Sequence, residues 1–283
     1  MTSVARPVAD QWVLRPGSTA WRYFGSVRNM LLGPRILVLQ VAHPVVGAGV
    51  LAHSRYQEEP WRRLLRTARS LTMIAYGNVT DATAEAARLR ELHAGIKGVD
   101  EQGRRYHALH PEAYAWVHAT LVRGAIDAQR LFGDGIPPSE LPGYYQELRG
   151  VGLLLGLRDH HLPPDLAAFD AYYDGVVRDR LEDNRAVREV LTSIRHPAKP
   201  GTRLVPAVAW HPIAGVVGDR AHLVTVGTLP PVLRDRLCLT WSDQQERRLQ
   251  RFARRARWEM SLATPPLLAA ARLAAELQSF RRR

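Results

Sequence analysis

Two short stretches hold the residue types best suited to chemistry: Arg63-Leu64-Leu65-Arg66-Thr67 and Trp116-Val117-His118-Ala119-Thr120-Leu121. In a helix, Arg63, Arg66 and Thr67 stand at i, i+3 and i+4 and share a face that Ser70, Leu71 and Ile74 continue. Two guanidiniums and a hydroxyl can stabilise an anionic oxygen or polarise a carbonyl. At about 100° per residue, Tyr114, Ala115, Leu121, Val122 and Ala125 lie within about 60° of His118. That imidazole therefore projects from an apolar face, and Ala115, Ala119 and Gly124 keep the helix surface low enough for a flat macrocycle to approach. An axial ligand for haem iron is one use of such a histidine. A core histidine bonded to a carbonyl is the other. The arginines, with Arg62 and Arg69, have their own plainer alternative in a solvated helix face.

Other residues could contribute. His43 and His53 lie upstream, and histidine is the side chain whose ordinary pKa is nearest neutrality, so either can serve as a distal acid or base. His43 also precedes Pro44, where it can brace a kink. His93 follows Leu89 and Leu92 on a helical pattern, placed to contact a haem propionate or to pack. His160 and His161 adjoin Pro163 and Pro164 in a connection. Cys238, between Leu237 and Leu239, is expected to be buried and inert. As the single cysteine it excludes an intramolecular disulfide or a cysteine-rich metal centre. No His-Glu-x-x-His motif occurs, which weakens a non-haem metal enzyme assembled from the eleven histidines.

Helices must position these groups. Ser18 caps a predicted helix to Leu32, and Pro34 opens the next, kinked near His43 by Pro44. Further helices are predicted over Pro60–Tyr76, Asp81–Lys97, Pro111–Phe132, Glu140–Leu155, Pro164–Leu181, Asn184–Ile194, Asp243–Leu262 and Pro266–Phe280. The valine-rich, proline-broken stretch from Thr202 to Leu239 fits helices with loops, and His196–Gly201 is the best hinge. The expected organisation is an N-terminal extension over 1–17 and one mostly α-helical globular domain over 18–283.

The 283 residues are 46% hydrophobic and 23% charged, an ordinary globular balance. Without a long apolar run there is no expected transmembrane helix or signal peptide, and with one cysteine a reducing cytoplasm is the simplest location. Net charge is +12 and nearly all of it is arginine, since Lys97 and Lys199 are the only lysines. Such charge raises a basic helical protein that binds nucleic acid or another polyanion, but no recognition motif accompanies it. The densest run, Arg247 to Arg257, has helical spacing and is expected to be one solvated face.

The segments Gln40–Val50 (QVAHPVVGAGV), His53-Ser54, Arg63–Thr67 and Trp116–Leu121 together resemble the rubber-oxygenase-like family. That family takes in latex clearing proteins and fungal oxygenases of the mycophenolic acid pathway, and the similarity spans roughly residues 18 to 260. The resemblance implies a globin-like helical core, haem b with one axial histidine at His118, and a distal arginine and threonine at Arg63 and Thr67. Together with the residue readings above, the catalytic candidates are Arg63, Arg66, Thr67 and His43, and the candidates to line the haem beside His118 are His53, His93, Tyr114, Leu121 and Val122. The implied partners are a small, apolar or partly apolar substrate and dioxygen or peroxide. Two departures stand out. Arg66 replaces the family's distal lysine, and arginine stays protonated and ligates iron poorly. The family's distal glutamate has no counterpart, because no acidic residue lies between Leu14 and Gln57.

Overall fold

Proline, asparagine and glycine set most helix ends. The computed structural model describes residues 11–54, 60–201 and 207–280. Over these residues run α1 (Thr19–Tyr23), α2 (Gly33–Val41), α3 (Pro44–His53), α4 (Pro60–Tyr76) and α5 (Val79–Ala94). An antiparallel hairpin of β1 (Lys97–Val99) and β2 (Arg105–His107) follows. Then come α6 (Pro111–Phe132), α7 (Leu141–Leu154), α8 (Leu166–Asp179), α9 (Arg185–Arg195), α10 (Ala207–Thr228), α11 (Pro231–Arg236) and α12 (Asp243–Phe280). The protein is a mostly α-helical single domain, as its composition and periodicity predict.

Several boundaries differ from expectation. The first predicted helix divides at Gly25 into α1 and a short 3-10 turn over Val27–Leu32, whose start Ser26 caps. Helix α5 ends at Ala94, three residues before the predicted end, and the β-hairpin occupies Lys97–His107, to which the sequence beyond Lys97 assigns no element. The two C-terminal helices are continuous as α12. Within the expected N-terminal extension, residues 11–17 pack on the domain: Leu14 is buried in the core and Trp12 packs on Gly150. Cys238 is exposed rather than buried, because Leu237 takes the buried position and the chain turns at Cys238 with φ of 52°. The hinge candidate His196–Gly201 links α9 to residues 202–206, which lie outside the described residues.

The central element is α6, buried on nearly every side as its small and apolar residues require. Along it α2 runs antiparallel. Trp116 Nε1 donates to the Leu39 carbonyl (2.9 Å), Gln40 Nε2 to Thr120 Oγ1 (3.0 Å), and Arg35 Nη1 to Asp127 Oδ2 (2.7 Å). Polar pairs thus fix the register of an otherwise apolar seam.

Between α2 and α3 the chain turns sharply: the segment Val27–Val41 and α3 are bent by 105°. His43 takes the extended conformation required before proline (φ −75°, ψ 124°), and Pro44 opens α3 where its missing N–H costs nothing. The freed carbonyls find partners outside the corner. Asn184 Nδ2 donates to Val41 O (2.9 Å), and Glu182 N to Ala42 O (2.9 Å). A Cβ on Gly47 would lie 2.6 Å from the Val41 carbonyl oxygen, so backbone must move to admit it. Gly47→Ala is expected to destabilise the fold by about 1–3 kcal/mol, despite alanine's better helix propensity. Urea denaturation checks this, and a stability equal to or above wild type would refute the tight corner. Among the described residues, no single helix is long and apolar enough to cross a membrane.

Candidate functional site

The Arg63–Thr67 stretch lies on α4, which pairs with α5 as an antiparallel hairpin. Gly77 ends α4, and Asn78 caps α5 by accepting from the Asp81 N–H (2.9 Å). Ala82 and Ala86 are buried, and their small size lets the two helices approach. Arg88, held to Glu85 (2.6 Å), reaches across to Ser70 Oγ (3.2 Å). Continuing that register toward the open end of the hairpin sets His93 level with the Arg63–Arg66 turn.

The groups at this end form separate pairs. Arg63 is half-buried and donates from Nη1 to Ser54 Oγ (3.0 Å) at the C-terminus of α3. Next to Ser54, His53 places Nε2 3.2 Å from the hydroxyl of Tyr106 on β2. His93 lies on the same stripe of α5 as Ala82 and Ala86. Its Nδ1 meets the Leu89 carbonyl at 2.6 Å and its ring stands edge-on to Tyr114, with centroids 5.8 Å apart. A carbonyl only accepts, so Nδ1 carries the proton and Nε2 keeps its lone pair. Burial lowers the His93 pKa, the Leu89 bond partly opposes this, and Arg88 adds to the lowering. The outcome is a neutral imidazole with an available nitrogen. On α4, Thr67 shares the face of the buried Ile74 yet is exposed, as is Arg66, so the inward face of the hairpin stays open at this end.

His118 lies elsewhere. It is buried on α6, its Nε2 has no hydrogen-bond partner, and the Leu148 backbone faces the other ring nitrogen. With Ala115, Ala119 and Val122 it lines a small cavity of about 10 Å³, walled by Tyr145, His161, Leu162 and Tyr172. A Cβ on Gly152 would lie 3.0 Å from Nε2, so the imidazole packs directly on that glycine. The buried, unpartnered donor suits a metal, and Gly152 and Leu162 pack close beside it. Leu121 packs with a second core cluster around Leu32 and Phe132 rather than beside the cavity.

The structure therefore brings Arg63, Arg66, Thr67, His53, His93 and Tyr114 to one end of the hairpin. It sets His118 and Val122 at a separate cavity, and Leu121 and His43 at neither. His43 is enclosed at the α2–α3 corner, with Glu112, His110, Arg180 and Glu182 as its charged neighbours. Ser54 and Tyr106 complete the hairpin cluster. The His53-Ser54 dipeptide hinted at the first, but nothing in the sequence pointed to the second. Among the described residues no cluster of three or more histidine, cysteine, aspartate or glutamate side chains could hold a metal.

Burial lowers the pKa of both His43 and His118 from 6.5 to about 4. The folded protein keeps these rings neutral where the unfolded chain takes up protons. Their stabilising contribution is therefore complete above pH 6.5 and is lost as pH falls toward 4. Each accounts for up to about 3 kcal/mol across that window. The urea midpoint is expected to fall steadily between these pH values and to do so less steeply in His118→Asn. An identical slope in the variant would remove His118 from this account.

Residues 21–258 match the family described as ER-bound oxygenase mpaB/B'/Rubber oxygenase, catalytic domain. An uncharacterised protein of Mycobacterium bovis and another of Mycobacterium tuberculosis are each 27% identical to the chain over 225 residues. Those alignments cover 78% of this chain and 84% of each relative. No solved structure matches.

Proposed function

The chain belongs to this oxygenase catalytic-domain family, and on that premise we propose that it is a haem-dependent oxygenase whose iron is held by a histidine at the open end of the α4–α5 hairpin. The observation that supports the proposal is the setting of His93: a neutral imidazole, its Nδ1 fixed by Leu89 and its ring against Tyr114, on the helix that packs against the one carrying Arg63 and Arg66. The donor set fits haem. It offers one neutral nitrogen, two guanidiniums, a hydroxyl and an open inward face, whereas the packing at His118 offers only the nitrogen.

Haem would supply the redox chemistry that activates dioxygen or peroxide. The protein's part is orientation and charge. The Leu89 carbonyl fixes the tautomer and aim of His93 and makes Nε2 more basic. Arg63, anchored on Ser54, presents permanent positive charge to a developing oxyanion, and Thr67 can donate or accept a hydrogen bond. His53, in contact with the Tyr106 hydroxyl, can hold a proton at Nε2. His43 is too deeply enclosed for that role. The apolar residues nearby, Leu89, Ile96 and Tyr114, favour a small and largely apolar substrate.

His118 is the second candidate ligand, favoured by its buried, unpartnered Nε2. Adding haemin to the purified protein tests the shared premise: a Soret band saturating at one equivalent is expected. No band at any ratio would overturn the haem reading, and iron found without porphyrin would favour a non-haem metal enzyme.

A further inference from the structure

The arginines of the run on α12 are exposed, as their spacing predicts, but they do not share a single face. Arg257 donates to the Arg130 carbonyl near the end of α6 (3.0 Å). Arg248, Arg251 and Arg255 converge instead with Arg220 of α10 around a cleft of about 340 Å³ that includes Leu223 and Phe252. Arg255 is paired with Glu259 (2.6 Å). Among the described residues, Arg220, Arg248 and Arg251 have no ion-pair or hydrogen-bond partner. The apolar packing of α10 on α12, through Leu223, Leu249 and Phe252, is what holds these like charges together. Nothing in the cleft beyond Glu259 offsets them.

Guanidinium forks match oxyanions in bidentate geometry, and several unpaired cations suit a doubly charged oxyanion better than a single carboxylate. The apolar residues between them are poor company for a fully hydrated ion and good company for a ring or short chain. We propose that the α10–α12 cleft binds a phosphate monoester with an aromatic or short aliphatic body. Arg220, Arg248 and Arg251 hold the phosphoryl group, and Leu223 and Phe252 support the apolar part. The cleft shares no residue with the α4–α5 hairpin, so this site stands independently of the haem.

Isothermal titration of the full chain with 1-naphthyl phosphate, inorganic phosphate and 1-naphthol tests the proposal. The ester is expected to bind at least about ten-fold more tightly than either fragment. The double variant Arg248→Gln/Arg251→Gln is expected to weaken it by at least about ten-fold with melting temperature unchanged. Equal affinity for the ester and inorganic phosphate, or undiminished binding by the variant, overturns the site. Phosphatidic acid in phosphatidylcholine vesicles distinguishes the source. Co-sedimentation that the naphthyl ester competes away assigns the phosphoryl group to a lipid, and its absence assigns it to a soluble ester. Retention on single-stranded DNA without any binding of the ester rejects the proposal in favour of a polyanion surface.

Discussion

Alanine at position 93 is expected to abolish the Soret absorption of the haemin-treated protein, with added imidazole restoring it, while alanine at position 118 leaves the band in place. The asymmetry follows from what surrounds each ring. His93 has one nitrogen fixed by the Leu89 carbonyl and sits where the inward face of the hairpin is open, so an exogenous imidazole can enter once the side chain is gone. His118 has the right nitrogen, but Gly152 and Leu162 close around it. Imidazole rescue separates ligation from folding, because a merely structural histidine would not be replaced by a free base. Loss of the band in His118→Ala, with retention in His93→Ala, would move the ligand to α6 and require its neighbours to open.

The second large effect concerns the α2–α6 seam. Arg35 and Asp127 form an ion pair whose side chains are only 5% and 7% exposed, far from the screening that weakens surface pairs. Asp127→Ala strands the Arg35 guanidinium in the core and is expected to cost about 3–5 kcal/mol. For a domain of this size each kcal/mol shifts melting by about 2–4 °C, so a fall of roughly 10 °C should be seen. The apolar pair Arg35→Met/Asp127→Leu should recover most of the loss, since it removes both desolvation penalties. A single-variant loss below about 1 kcal/mol would show that water or Arg130, which also bonds Asp127, compensates the break.

Local chemistry made much of the helical framework legible. Pro60, Pro111, Asn184 and Gly77 mark ends that the structure keeps, because a missing N–H, a capping amide or a residue without Cβ acts within one turn. The β-hairpin was hidden because its strands are three residues each, and the alanine- and leucine-rich segment before them continues a helical pattern. At the site, periodicity identified which face His118 and Arg63 occupy, but a face does not name its partner helix. The choice between His93 and His118 turns on α4 packing against α5, a tertiary fact no spacing encodes. The arginine run shows the same limit: its helical period was evident, whereas the convergence with Arg220 depends on how α10 crosses α12.

Cys238 offers a use that has nothing to do with reactivity inside the protein. It is the one thiol in the chain, it is exposed, and the turn that carries it touches neither candidate haem pocket. A fluorophore attached there would act as a fixed donor for energy transfer to a porphyrin, an efficient quencher across the Soret and visible bands. Its lifetime would then register cofactor uptake in a protein whose histidines are all intact, an optical gauge that needs no active-site substitution.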